Sequence, residues 1–306
     1  MRMQSVLIGA AVATALFLPA NAAGGNWVDG GWKTYDARSL KLEDIVGNVQ
    51  VDVKEQGPIA IQISGQSERV NRVHVSANGG TLRVQSDPVG QVWDWKHWFD
   101  FSYAGKSRPD QLQIRISVPR GTAVDAEVDA GNVRIGDTMG PLTFSVQGYT
   151  DSSVGNVASA KLEMSGSGKL SVGHVAGFAE IETAGSGNIR VGDVNKAKAD
   201  IAGSGSISLG NIRGGGVEVD IAGSGDFSAA SVNGPTKASI AGSGSVTIAN
   251  GEANPFKVEI MGSGNVSFGG VAVNPRIEAM GSGSVRIKSY RGSLSNDGMA
   301  KLNIGN

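Results

Sequence analysis

The sequence predicts an all-β protein: a β-solenoid of about nine 19-residue rungs over residues 121–306, preceded by a looser, strand-rich β region over residues 23–120. Three observations predict it. Gly-Ser-Gly recurs seven times, at Gly166, Gly185, Gly203, Gly223, Gly242, Gly262 and Gly281, with spacings of 19, 18, 20, 19, 20 and 19. Apolar and polar residues alternate with period two on both sides of each turn, the pattern of a strand with one buried face. Glycine is abundant, 46 of 306 residues, without the proline of a collagen, and charged residues are only 18%.

The repeat is defined by its columns. Two residues before the first Gly stand Met164, Thr183, Ile201, Ile221, Ile240, Ile260 and Ala279; four before it stand Leu162, Ile181, Ala199, Val219, Ala238, Val258 and Ile277. Four after it stand Leu170, Ile189, Ile207, Phe227, Val246, Val266 and Val285, and six after it Val172, Val191, Leu209, Ala229, Ile248, Phe268 and Ile287. Nine after it Val175, Val194, Ile212, Val232, Val271 and Tyr290 mark a corner, broken at Gly251. One rung cannot bury such a face alone, whereas stacked rungs pair their strands in parallel about 4.8 Å apart, like residue on like. Worn copies extend upstream through Phe144, Val146, Gly148, Val154 and Val157, and Asn132–Asp137 matches Asn188–Asp193, so nine rungs run from about Ala123 to Tyr290. A propeller blade needs about 40 residues, and a sandwich has no cause to keep such strict columns.

Ahead of the repeat, Gly47–Val53, Ile59–Ile63, Leu82–Val84 and Leu112–Val118 alternate as strands, separated by turns such as Asn78-Gly79-Gly80. Residues 91–103 break the pattern with Trp93, Trp95, Trp98, Phe99, Phe101 and Tyr103 around His97. These six aromatics are the candidate ligand-binding residues, since aromatic faces on loops stack on sugars or partner surfaces. The other reading is a cap over an open solenoid end.

Residues 1–22 read as a signal peptide: Arg2, the apolar run Val6–Leu18, and the Ala20-Asn21-Ala22 cleavage site. The apolar run is too short to cross a bilayer comfortably, and no transmembrane segment follows in the mature chain. The expected location is exported: periplasmic, secreted or at the cell surface. There is no cysteine, which excludes disulfides, thiolate metal sites and a lipid anchor on cysteine. A net charge of −1 gives no electrostatic drive toward nucleic acid.

The serial Ala-Gly-Ser-Gly turns, with Ile45-Val46-Gly47-Asn48-Val49 and Ile116-Ser117-Val118-Pro119 before them, resemble the GIN-domain family, the head domains of putative autotransporter adhesins. The resemblance covers roughly residues 40–306. It implies a right-handed β-helix-like solenoid in an exported bacterial protein and carries over no catalytic residue. Nothing after Tyr290 forms an outer-membrane translocator barrel, and the aromatic segment stands as an insertion into the common pattern.

Chemistry is sparse along the chain. An acidic column stands three before each Gly (Glu163, Glu182, Asp200, Asp220, Glu259 and Glu278, interrupted by Ser239), and five before it stand Lys161, Glu180, Lys198, Glu218, Lys237, Lys257 and Arg276. Stacked carboxylates repel by roughly 1 kcal/mol each even in water, so the two columns are expected to form an ion-pair lattice. A cation site near Glu180, Glu182, Glu218 and Asp220 is the sharper alternative, against which Lys198 stands. Gly166-Ser167-Gly168-Lys169 is no phosphate loop, because Glu163 occupies the first glycine position and a strand follows. No G-x-S-x-G elbow occurs, and His74, His97 and His174 lack metal-ligand spacing. No cofactor or metal is therefore expected. A hydroxyl-rich column, Ser171, Ser208, Ser228, Thr247 and Ser267, with Arg190 and Arg286, offers a second flat face. The expected function is a non-catalytic adhesin-like or envelope-binding module for a glycan, an envelope component or a protein. The alternatives are a polysaccharide-active β-helix enzyme and a structural envelope spacer.

Overall fold

A computed structural model describes residues 27–86, 112–299 and 301–305. The expected signal peptide, residues 1–22, and the aromatic segment lie outside the described residues. Strands β1 (Trp27–Asp29), β2 (Lys33–Tyr35), the long β3 (Ser39–Lys54) and β4 (Ile59–Gln66) lead to one turn of helix, α1 (Ser67–Val70). A hairpin of β5 (His74–Asn78) and β6 (Thr81–Gln85) follows, then β7 (Gln113–Pro119), β8 (Ala123–Ile135) and β9 (Pro141–Val154). The repeat supplies β10 (Ser159–Met164), β11 (Ser167–Val172), β12 (Val175–Gly185), β13 (Asn188–Val191), β14 (Val194–Gly203), β15 (Ser206–Ile212) and β16 (Val217–Gly223). It continues through β17 (Asp226–Gly242), β18 (Ser245–Ile248), β19 (Gly251–Gly262), β20 (Asn265–Val273), β21 (Arg276–Met280) and β22 (Ser284–Arg291), and closes with β23 (Ser295–Gly298) and β24 (Lys301–Ile304).

The strands stack as a β-solenoid of about nine turns. Pairing is parallel and like lies on like: Ile201 pairs with Ile221, Ile221 with Ile240, and Ile240 with Ile260. Every residue of the four columns flanking the turns is buried. A further inward column, invisible as a hydrophobic signal because most of its members are small, stands six before the Gly: Ala160, Ala179, Ala197, Val217, Thr236 and Phe256. At its bulky end Phe256 stacks on Phe268 with ring centroids 5.2 Å apart.

Both glycines of the turn are dictated by the stacking. Gly203 sits at φ +117°, and a Cβ there would stand 2.7 Å from the carbonyl oxygen of Gly185 one rung back. The third position serves the core: a Cβ on Gly244 would stand 2.7 Å from Ile221 Cγ2. Glycine is the residue that permits both the backbone angle and the close approach. The first copy differs, with the positive φ at Gly168 rather than Gly166. There the chain follows the worn rung before it, where β11 pairs with β9 as Gly168 on Thr150. The buried Ser152 in that worn rung takes a hydrogen bond from the Val133 N–H at 3.0 Å and lies 2.5 Å from Thr150 Oγ1, so a polar residue is satisfied inside an apolar column.

The corner column holds through Val175, Val194, Ile212 and Val232, all buried. It then departs from expectation. Val271 is half-buried, and Ala253 and Ala272, paired with each other, take the inward place. Gly251 already pairs with Val232, so the inward position moves along the chain to Ala253. Tyr290, which pairs with Ala272, is 40% exposed.

Stacking also takes in β3, whose Asn48, Val49 and Val51 pair with Asn132, Val133 and Ile135 of β8. On the far side of β3 lie β6 along its first half and β7 along its second. Strand β4 runs antiparallel to β7, and β1 and β2 run antiparallel to β4. The parallel ladder therefore ends in antiparallel pairing, which closes off further stacking at this end.

Candidate functional site

The sequence-derived candidates Trp93, Trp95, Trp98, Phe99, Phe101 and Tyr103 lie outside the described residues. Their anchors are defined. Ser86 donates its backbone N–H to Glu43 at 3.3 Å and its hydroxyl to the Asp44 carbonyl at 2.5 Å, while Asn48 N–H donates to the Leu112 carbonyl at 2.9 Å. The segment thus leaves and re-enters the fold at the turn of β3. Gly47 of that turn stacks on Gly131.

From the turns toward the C-terminal end, one flank of the stack carries a groove of about 910 Å³. Its wall is the acidic column from Glu163 to Asp297, and its ledge is the outward residue just before each turn glycine: Ala184, Ala202, Ala222, Ala241, Met261 and Met280. The ledge is exposed because the strand alternates, so the residue after each buried column member must face out. Eight rungs contribute, so the groove runs for about seven inter-strand steps of 4.8 Å. Its volume lies in the usual ligand-site range of about 300–1,000 Å³.

The expected ion-pair lattice is present along this wall. Most pairs lie within one strand: Lys161–Glu163 at 2.8 Å, Lys198–Asp200 at 2.8 Å, Arg276–Glu278 at 2.7 Å, and Lys257–Glu259. Lys237 has Ser239 instead of an acid on its own strand and reaches back one rung to Glu218 at 3.1 Å. Hydrogen bonds from Lys161 and Lys257 hold the Glu163 and Glu259 carboxyls below their ordinary value, against the opposing effect of partial burial. Lys161, Lys198 and Lys237 are raised, chiefly by the carboxylates that they touch. Glu180 and Glu182 add to the field on Lys161, and Glu180 and Asp220 to that on Lys198, so rungs bearing two acids lean on the lysines of their neighbours. Among the described residues, no group of three His, Asp or Glu side chains could hold a metal ion. The sharper alternative near Glu180 and Glu218 has no support in this geometry.

A polar ladder that the sequence reading missed runs along the corner. Asp137 accepts the Asn156 N–H, Asn156 accepts the His174 N–H at 2.8 Å, and Asp193 accepts the Asn211 N–H at 2.8 Å. Asp193 is also bound by Arg213 at 2.6 Å, and these bonds lower its pKa to about 2. The signal in the sequence was an Asn, Asp or His directly after Gly136, Gly155, Gly173, Gly192 and Gly210. His174 belongs to this ladder, its Nδ1 lying 2.9 Å from the Asp193 carbonyl. The hydroxyl-rich face is stitched across rungs, with Ser228 donating to Ser208 at 2.9 Å.

These features define a class: an elongated parallel β-solenoid offering a long open groove on one flank. The chain belongs to the family described as the putative auto-transporter adhesin, head GIN domain, whose profile matches residues 41–251. It is similar to the crystal structure of a putative adhesin from Parabacteroides distasonis, with a TM-score of 0.42, 13% identity, and coverage of 92% of this chain and 97% of that one. A putative adhesin from Bacteroides fragilis is similar at a TM-score of 0.38 and 16% identity, covering 94% of this chain and 98% of the other. A putative lipid binding protein from Parabacteroides distasonis is similar at a TM-score of 0.39 and 16% identity, covering 92% and 98%. No curated protein sequence matches the chain. Among the described residues no helix is long and apolar enough to cross a membrane.

Proposed function

We propose that the chain is an exported, non-catalytic binding module that holds an extended envelope glycan along the groove. The groove itself carries the reading. An open trough many rungs long suits a polymer better than a compact small molecule. Its alanine ledge offers apolar contact to sugar-ring faces, and its carboxylate row accepts hydrogen bonds from hydroxyls. The export reading rests on residues 1–22 and on the family, and Trp93, Trp95 and Trp98 are proposed as an end cap or a second contact on the same ligand.

Two acids of the groove wall speak against a glycoside hydrolase acting in the groove, whereas the one carboxyl raised among the described residues, Asp129 beside Asp44, lies outside it. Such an enzyme keeps one carboxyl protonated through a raised pKa. Glu163 and Glu259 are instead lowered by lysines at hydrogen-bond distance, and the same basic–acidic pair recurs at Lys198–Asp200 and Arg276–Glu278.

The test is a binding screen of the purified chain on arrayed cell-wall glycans, phospholipid vesicles and envelope proteins. The double variant Ala202→Trp/Ala222→Trp fills the ledge at two exposed positions without touching the core. It should weaken glycan binding at least tenfold at an unchanged melting temperature. A Trp93→Ala/Trp95→Ala/Trp98→Ala variant that binds normally but melts early assigns the segment to capping. Glycan binding untouched by the ledge variant would sink the groove reading, and capture of nothing at all would leave the chain a structural spacer.

A further inference from the structure

The last three positions of the groove ledge are methionines. Met261 pairs with Met280 across β19 and β21, and Met299 follows Gly298, which pairs with Ala279, so Met299 stacks next in the column. The Met299 N–H donates to the Ala279 carbonyl at 3.0 Å, as that register requires. All three side chains face solvent, at 57%, 68% and 80% exposure. The chain has seven methionines, two of them in its first three residues, so three of the remaining five fall in one column on successive rungs.

The fold does not call for bulk here, because the same column is alanine at Ala184, Ala202, Ala222 and Ala241. A docking face for an apolar partner does not account for the methionines either. The outward residues beside them are charged, Glu259 with Lys257 and Glu278 with Arg276, so the apolar strip is a single residue wide. Functional apolar patches spread over several hundred Å². What a single file of methionines does provide is a row of thioether sulfurs. Parallel strands hold the three Cα positions about 4.8 Å apart, and each sulfur sits on an arm with three rotatable bonds, so the three sulfurs can converge on one ion.

Thioethers are soft ligands that select Cu(I) among the biological metals. We propose that Met261, Met280 and Met299 form a binding site for a soft monovalent cation of the Cu(I) type. The neighbouring charge favours a cation. Asp297 continues the acidic column, but its strand carries Ser295 where the preceding rungs carry Lys257 and Arg276, so this rung's carboxylate meets a hydroxyl (Ser295 Oγ to Asp297 Oδ2, 2.9 Å) instead of a base. The chain has no cysteine to compete for the ion, and thioethers cannot be lost to disulfide formation. The site stands on the methionine column alone and does not depend on a glycan occupying the groove.

The test titrates the purified chain with Cu(I), held reduced by ascorbate under argon, against bicinchoninate. Ag(I) is titrated separately into protein labelled with ¹³C at the methionine methyls. The expected results are one Cu(I) per chain and Ag(I)-induced shifts of the Met261, Met280 and Met299 methyl signals, with Met139 and Met164 unmoved. Met280→Leu keeps the apolar bulk and removes the central sulfur. It should weaken Cu(I) binding at least tenfold at an unchanged melting temperature, and the triple leucine variant should not bind. Failure to compete with bicinchoninate, Ag(I) shifts confined to Met139 or Met164, or wild-type affinity in Met280→Leu would each overturn the site.

Discussion

The methyl that alanine would add at Gly244 points at Ile221 Cγ2, 2.7 Å away, and at the Gly225 carbonyl oxygen at 2.5 Å. Neither neighbour has room to retreat, since Ile221 is buried between Ile201 and Ile240. Gly244→Ala should therefore cost about 1–3 kcal/mol, the usual range for overpacking a full core. Ile221→Ala should cost about 2–5 kcal/mol through the cavity it leaves. Combined, the two changes should cost less than their sum, because the new methyl enters the vacated space. Denaturant melts of the two single variants and the double would check this, and strict additivity would refute the contact. At this scale the repeat motif and the core are one feature: at Gly225, Gly244, Gly264 and Gly283 the glycine is the space for the isoleucine on the rung before.

At the scale of the element, the strands of Glu163, Asp200, Glu259 and Glu278 carry their own charge compensation, and the others borrow it from neighbouring rungs. Glu163 and Glu259 ionise more readily in the folded chain than in the unfolded one, and Asp193 does so most clearly, from its ordinary 3.8 to about 2. A carboxyl lowered on folding stabilises the fold fully above its unfolded pKa, and that contribution disappears as pH falls through the folded value. The melting temperature should accordingly be level near pH 6 and drop between about pH 5 and pH 2. Arg213→Ala should move the Asp193 carboxyl titration, followed by NMR, back toward 3.8. A melting temperature that is flat down to pH 2 would show that the ladder contributes nothing. The raised lysines act at the other end of the scale: their contribution is present below 10.5 and fades as pH climbs beyond it.

For the whole molecule, each rung touches only its neighbours, so the stack should behave as a row of nearly equivalent units. Excising Ser204–Gly223 joins Gly203 to Ser224 and restores a Gly-Ser-Gly turn with every column intact. That shortened chain should fold and melt cooperatively at a slightly lower temperature. Excising only Ser204–Arg213 breaks the columns and should yield a chain without a cooperative transition. Circular dichroism melts of both distinguish the outcomes, and equal behaviour would contradict a stack of interchangeable rungs. Antiparallel pairing terminates the N-terminal side, whereas at the other end Asn296 and Gly298 take the places of Ile277 and Ala279. Leu302 and Ile304 of the same rung keep the apolar columns by pairing with Val285 and Ile287.

The repeat, its columns and the ion-pair wall were legible in the sequence because each arises from a strictly local rule. Strand alternation decides which side chains face in, and near-constant spacing places like on like. The inward column ending in Phe256 was hidden because alanine and threonine leave no hydrophobic signal, and the corner slip to Ala253 and Ala272 because a shift of one or two residues relative to the turn moves the inward place without changing composition. The groove was out of reach, and the methionine file only half legible, since Met261 and Met280 each precede a turn glycine whereas Met299 is followed by Ala300. Whether an outward position becomes a ledge depends on how the backbone bends over the turn, and Met261, Met280 and Met299 are neighbours only through registers that the strand pairing fixes. Sequence determines such a stack because its contacts repeat along the chain at one period; its concave surfaces belong to tertiary structure, because they arise between columns rather than within them.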